Sequence, residues 1–263
     1  MQHDLIVPGP VDLAIAAALV ITSAALLWAK GVELARPLLI SALRCGLQLL
    51  AVGYVLGAVF DLDSAWAVGA LLLLMGALAT QTVASRVPHG GRGLPWHIAA
   101  ALASGTALTL FFAAVVVLAV EPWYSPRYII PLFGMLLGNS LNGATLAAER
   151  LDSEVGRRAE QIETLLCLGA SAREAGAGAA RAALKAALLP TVNAMAVAGL
   201  VALPGMMTGQ ILSGTAPTIA VRYQLLIWFL IATSVTVSAV LLVRLRMRHH
   251  FTAAHQLRRR FRE

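Results

Sequence analysis

The stretch Gln224–Val243, QLLIWFLIATSVTVSAVLLV, runs 20 residues without a charge and is followed at once by RLRMRHH. As an α-helix rising about 1.5 Å per residue, such a run is about 30 Å long, the thickness of a bilayer's hydrocarbon core. In lipid a lone segment must satisfy its own backbone N–H and C=O groups, so this stretch is expected to cross a membrane as a helix ending in a basic cluster. The rest of the chain has the same character: 59% of the 263 residues are apolar and 13% are charged, with a mean hydropathy of +0.79. A water-soluble surface does not permit that composition.

Towards the N-terminus, apolar stretches recur at 11–29, 37–60, 65–83, 97–120, 129–148 and 187–206, each of roughly the 17–25 residues that one crossing needs. The expected fold is an all-α polytopic membrane protein of about seven transmembrane helices, one transmembrane domain over 1–263. The first run follows an acidic, proline-bearing leader and is long enough to span, so it reads as a helix and not as a cleavable signal. Lysine and arginine set the orientation. The segments after the first, third, fifth and seventh runs hold 17 of the 20 Lys and Arg residues, whereas the opposite segments hold Asp4, Asp61, Asp63 and Glu121 with only Arg127 and Arg222. This places the N-terminus outside and the C-terminus in the cytoplasm. The net charge of +7 follows from the same bias and gives no reason to expect nucleic acid, because no aromatics interleave the arginines on a polar face. Cys45 and Cys167 read as small core residues. No internal repeat is evident.

The longest cytoplasmic segment, Glu149–Pro190, reads ERLDSEVGRRAEQIETLLCLGASAREAGAGAARAALKAALLP. Leu151, Val155, Ile162, Leu165, Leu166 and Gly169 recur at helical steps, and Glu154, Arg157, Arg158, Glu160 and Glu163 take the other positions, so its first half is an amphipathic helix. Gly169 is a helix stop, and Ser171 with Glu174 three residues later forms a capping box that starts a second helix. Residues 149–186 are therefore expected to form a cytoplasmic helix, elbow and helix. From the residues alone, a force-transmitting knob and a plain amphipathic hairpin at the interface are equally good readings.

Glu163-Thr164-Leu165 and Gly169 resemble the loop by which ABC-transporter permeases dock into the cleft of their ATPase, although Leu189-Pro190 follows the glycine later than importers place that pair. Longer blocks are similar to the FetB-type permeases, an iron-export permease family related to plant aluminium-tolerance membrane proteins. They are Arg44-Cys45-Gly46-Leu47-Gln48 with VGYVLG, GMLLGNSLN from Gly134, LGASAREA from Leu168, AALLPTVNAM from Ala186, and LVALPGMMTGQILSGTAP from Leu200. The resemblance implies a multi-pass inner-membrane permease subunit, itself not an enzyme, that exports a metal ion such as iron or a metal-related solute. It implies two copies forming the pathway and a separate ABC-type ATPase that binds the ATP and magnesium, this chain holding no cofactor. Glu163, Gly169, Ala170, Ser171, Arg173 and Glu174 then inherit the coupling role.

Several residues are candidates to line the path. Arg44 lies within the second run at a cost of about 2.5–3.5 kcal/mol on insertion scales. It either snorkels to the headgroups or, with Gln48 one turn on, faces the bundle interior. Met135, Asn139 and Asn142 form one stripe on the fifth run, serving either the path or interhelical hydrogen bonds with Gly134 and Gly138 as a close-contact surface. Asn193 lies on the sixth run, and Pro204-Gly205 is expected to break that helix near Met206, Met207 and Gln210. No Asp or Glu lies deep in any run, and the histidines lie at or beyond the ends, so no resident metal site is expected. A chelate, a thioether route through Met206 and Met207, and a non-metal substrate stay open. Only Lys30 and Lys185 are present, neither in a phosphate-binding loop, so any ATP hydrolysis must come from another chain. The rival readings are a secondary transporter, which lacks the usual buried carboxylate, and a membrane assembly protein.

Overall fold

The computed structural model describes residues 8–62, 64–87, 93–252, 254 and 256–258. Six helices among them are long and apolar enough to cross a membrane. They are α1 (Pro10–Ala29), α2 (Ala35–Leu62), α3 (Ala65–Arg86), α4 (Leu94–Phe111, continued by a π-helical turn over Phe112–Val117), α5 (Pro126–Arg157) and α10 (Pro217–His250). The shorter helices α6 (Ala159–Cys167), α7 (Ala172–Ala175), α8 (Ala177–Val197) and α9 (Gly205–Leu212) lie between α5 and α10. The protein is an all-α polytopic membrane protein.

The chain groups into two compact units. In the first, α1 and α2 pair as a hairpin. Gly31, at φ +69°, ends α1: its own N–H bonds the Trp28 carbonyl, and the Val32 N–H reaches back to Leu27. Only Ala24 and Val59 are buried along these two helices, and their aliphatic side chains face outward, as suits a lipid environment.

The second unit is a bundle in which α5 and α10 are the central pair, with α3, α4 and α8 packed around them. Small residues set the closest crossings. A Cβ built on Gly105 of α4 would lie 2.6 Å from the Ser234 carbonyl of α10, and one on Gly143 of α5 would lie 2.7 Å from a Val235 methyl. Beside them the buried hydroxyls of Ser140 and Ser234 share a 2.8 Å hydrogen bond between α5 and α10. Without a hydrophobic force between helices in lipid, close backbone approach and such polar contacts hold the bundle.

Two features differ from the sequence reading. The run expected at 187–206 is not one helix. Instead α8 starts ten residues earlier and stops at Val197, where Ala198 turns extended and Gly199 adopts φ +83°. Pro204 opens α9, its carbonyl accepting from the Thr208 N–H. Arg181, Lys185 and Asn193 dilute the hydropathy of α8, and at 21 residues, about 30 Å of helix, it is not among the six long apolar helices. It runs antiparallel to α10, because Gly176 at its start meets Met247, whereas Ala187 and Val235 meet at Gly143. Second, α5 and α10 extend well beyond the expected 129–148 and 224–243, so the segment from Glu149 begins as a continuation of α5. Both cysteines are exposed and free, not core residues.

Candidate functional site

The projecting end of the bundle is built from the last turns of α5 and α10, with α6, α7 and the start of α8 folded back on them. Beyond the membrane-spanning part of α5, Leu151 and Val155 stay buried and continue the helix–helix seam. Two acidic residues on this overhang fix it. Asp152 accepts Arg246 Nε at 2.9 Å and a second, shorter hydrogen bond from the same guanidinium, and His250 Nε2 lies 3.0 Å from its carboxylate. Arg246 and His250 are wholly buried on the last turns of α10. This is a bidentate clamp between two helix ends 94 residues apart in sequence.

Glu154 is also buried, contrary to its expected place on the polar face. Arg150 Nη2 sits 2.8 Å from one of its oxygens, Arg157 bonds the same oxygen, and Arg158 Nε bonds the other at 2.7 Å. Three arginines thus converge on one carboxylate where α5 ends. The chain then turns at Arg158 into α6, which buries Ile162.

The elbow has the expected chemistry. The Ala170 N–H bonds the Leu165 carbonyl and the Gly169 N–H bonds Leu166, with Gly169 at φ +92°. This double closure needs a left-handed residue, and glycine supplies it without a Cβ clash. Ser171 caps α7: its Oγ accepts from the Glu174 N–H at 3.3 Å, and the Glu174 carboxylate accepts from the Ser171 N–H at 2.9 Å and from its hydroxyl at 2.7 Å. Those bonds, the hydroxyl's foremost, hold the Glu174 carboxyl below its ordinary value. Gly176 packs on Met247, and a Cβ on Gly178 would lie 2.8 Å from an Arg158 nitrogen, so the elbow closes on both α10 and the end of α5.

The tip is Leu168, 80% exposed, beside the exposed Cys167 and Gly169. Ser171, Arg173 and Glu174 are exposed, and Glu163 and Ala170 half-buried. The structure brings these six coupling candidates together on one projection.

The path candidates are dispersed. Arg44 and Gln48 lie one turn apart on α2, both exposed. On α5, Met135 and Asn139 are half-buried and Asn142 is exposed. The Asn139 amide donates to the Met135 carbonyl of its own helix at 2.8 Å, so the interhelical bond falls to Ser140 instead. Gly138 faces open space, and the close-contact glycines are Gly105 and Gly143. Asn193 on α8 is exposed, while Met206, Met207 and Gln210 on α9 are half-buried. The α5 stripe therefore lies away from the seam with α10. Among the described residues no three His, Cys, Asp or Glu side chains lie together as metal ligands. The rings of His97 and His249 meet edge to face with centroids 6.0 Å apart. His3, His89 and His255 lie outside the described residues.

A family model described as "Uncharacterised protein family (UPF0014)" matches residues 10–251. The chain belongs to that family. It is 42% identical to the UPF0014 membrane protein slr1647 of Synechocystis over 98% of this chain and 99% of the relative. It is 32% identical to Protein ALUMINUM SENSITIVE 3 of Arabidopsis thaliana over 95% and 90%. It is 31% identical to the "Probable iron export permease protein FetB" of Escherichia coli over 94% and 93%. No solved structure matches the chain significantly. Resemblance to FetB-type permeases and plant aluminium-tolerance proteins is thereby established across nearly the whole length.

Within this UPF0014 chain the sequence reading missed the clamp of Asp152, Arg246 and His250, and the exposed Leu168. The first left one weak signal, the four-residue spacing of Arg246 and His250 past an apolar run. The second lay inside the LGASAREA block.

Proposed function

We propose that this chain is the transmembrane permease subunit of an ABC exporter, working as a homodimer with a separate ATPase in the inner membrane. The N-terminus is outside and the elbow cytoplasmic. Its cargo is a metal ion such as iron, or a metal-related solute, in keeping with the name of the Escherichia coli relative. The elbow carries the reading: a stiffened turn presents Leu168 outward and is braced on α5 and α10 through Gly176, Gly178 and Met247. Pushing such a knob displaces helices, whereas a hairpin lying on the surface yields. With a partner copy, the outward stripe of Asn139 and Asn142 on α5 and Asn193 on α8 supplies amide groups to the pathway. This chain supplies docking and the pathway, and the partner supplies ATP hydrolysis.

Co-expression with the candidate ATPase, purification and reconstitution test this. The pair is expected to co-purify, and Glu163→Arg is expected to leave the ATPase active but uncoupled from efflux in proteoliposomes. Unchanged coupling, or transport driven by a proton gradient without the ATPase, refutes the assignment. Orientation has its own check: Cys167, in a Cys45→Ser background, should react with an impermeant maleimide only after the cytoplasmic side is opened.

A further inference from the structure

We propose that the basic end of the bundle holds a built site for one anionic phospholipid, seated between α10 and the elbow. A cavity of about 700 Å³ opens there, walled by Leu184 of α8 and Val240 and Val243 of α10, with Arg173, Arg244 and Arg248 also lining it. The arginines are the first observation. Arg150, Arg157, Arg158 and Arg246 each bond a carboxylate on α5. Arg173, Arg244 and Arg248 are exposed, and none has an ion pair with any described acidic residue. Three guanidinium groups with no described acidic partner around one cavity can together hold an anion.

The second observation is polarity along the helix axis. Val240, Arg244 and Arg248 follow at one-turn intervals on one face of α10, so the wall changes from aliphatic to cationic over about 12 Å. The aliphatic end belongs to the uncharged run 224–243 and the cationic end to the basic cluster beyond it. A phospholipid has that profile, with acyl chains beside hydrocarbon and phosphate at the headgroup level. A soluble anion gains nothing from the aliphatic wall. A second copy of the chain would bring three more arginines to the same place, and like charges repel. The cavity shares Arg173 and Ser171 with the elbow assigned to the ATPase, but the proposal rests on the arginine cluster and the aliphatic wall and not on Leu168, so the two readings can fail separately.

Native mass spectrometry of the full chain, released from nanodiscs of equal phosphatidylglycerol and phosphatidylcholine, tests the site. Phosphatidylglycerol is expected to be retained in preference. The triple variant Arg173→Gln, Arg244→Gln and Arg248→Gln should lower that preference on the order of 100-fold, each surface cation contributing about tenfold or less. Arg157→Gln, at the paired cluster, should leave it intact. Val240→Trp, which fills the wall and keeps every charge, should also expel the lipid, separating a site from diffuse attraction to a basic tail. Equal retention of both lipids, a triple variant like the parent, or displacement by millimolar glycerol phosphate each overturns the proposal. So does a triple variant that keeps phosphatidylglycerol but loses the ATPase, which would make the cavity a protein-docking surface.

Discussion

Replacing Asp152 by alanine strips the carboxylate from a guanidinium that has no exposure to solvent. At the observed 2.9 Å between Arg246 Nε and the carboxylate, Coulomb's law with an effective dielectric of about 20 gives an attraction of about 6 kcal/mol. Desolvation of both charges offsets much of this, so the pair itself contributes little net stability, whereas breaking a buried pair by removing one partner costs about 3–5 kcal/mol. Asp152→Ala is therefore expected to lower the unfolding free energy by that amount, measured by reversible unfolding in bicelles. Arg246→Met alone should cost less, since methionine fills the space without a charge. Combining Asp152→Ala with Arg246→Met should recover most of the loss. A double-mutant cycle isolates the pair, and a coupling below about 0.5 kcal/mol, the scatter expected of independent sites, would refute the clamp. Amide exchange should also quicken in α7, because Met247, one residue beyond Arg246, is what Gly176 rests against.

The bundle glycines give a matched pair: Gly105→Ala forces α4 from α10 and should cost about 1–3 kcal/mol, whereas Gly138→Ala meets nothing within 4 Å and should be neutral or stabilising by up to about 1 kcal/mol. Glu174, whose carboxyl the Ser171 hydroxyl and N–H hold below the ordinary value, contributes cap stability present above the unfolded glutamate pKa and lost as pH falls through the lower folded one. Exchange protection at the Glu174 amide should accordingly fall in acid, and Ser171→Ala should weaken that dependence, leaving only the part carried by the backbone N–H of residue 171. Leu168→Glu should weaken co-purification of the ATPase at least about tenfold without shifting the unfolding midpoint, since the side chain is 80% exposed; equal binding would remove the tip from the interface.

Most crossings were legible because hydropathy over 20 residues is a sum, insensitive to detail. Their ends were not. The uncharged runs stop at Ala148 and Val243, but the helices run on to Arg157 and His250, because Leu151 and Val155 still pack and Asp152 pairs with Arg246 across the seam. Asp152 and Arg246 lie 94 positions apart, and no local pattern announces such a pair. Glu154 looked like a solvent-facing residue for a different reason: its arginines lie only three and four positions away, but a charged residue among charged neighbours carries no sign of burial. The turn at Gly169 and the cap at Ser171 were readable because capping is local chemistry: a left-handed glycine, then serine and glutamate three apart; that the helix it starts is the four-residue α7, closed at Gly176 before α8, was not. The break in the sixth run was expected at Pro204, but a proline can open a helix as well as close one, and Gly199 is the residue whose φ ends α8. Small-residue spacing likewise signals that helices touch without saying which glycines do. Gly105 and Gly143 face α10, and Gly138 faces outward.

The two ends of α8 differ in a way that bears on transport. Its start is held by Met247 against Gly176 and by Arg158 beside Gly178, and its middle by Val235 near Ala187 across Gly143. Beyond Val197 the chain leaves the helix at Gly199, and Leu200 and Val201 are 90% and 83% exposed. That exposure is not slackness: the Gly199 N–H bonds the Ala202 carbonyl, and the Leu200, Val201 and Ala202 N–H groups all reach back to Val197, so α8 ends in a closed turn. Gly199 stands there at φ +83°, a conformation that glycine adopts without a Cβ clash and that proline, held near about −65°, cannot. Asn193 lies one turn before that closure, and Met206 and Met207 follow on α9. On the permease reading, α8 is the element that joins the elbow to these residues, so Gly199→Pro is expected to disturb transport while leaving the elbow cap intact.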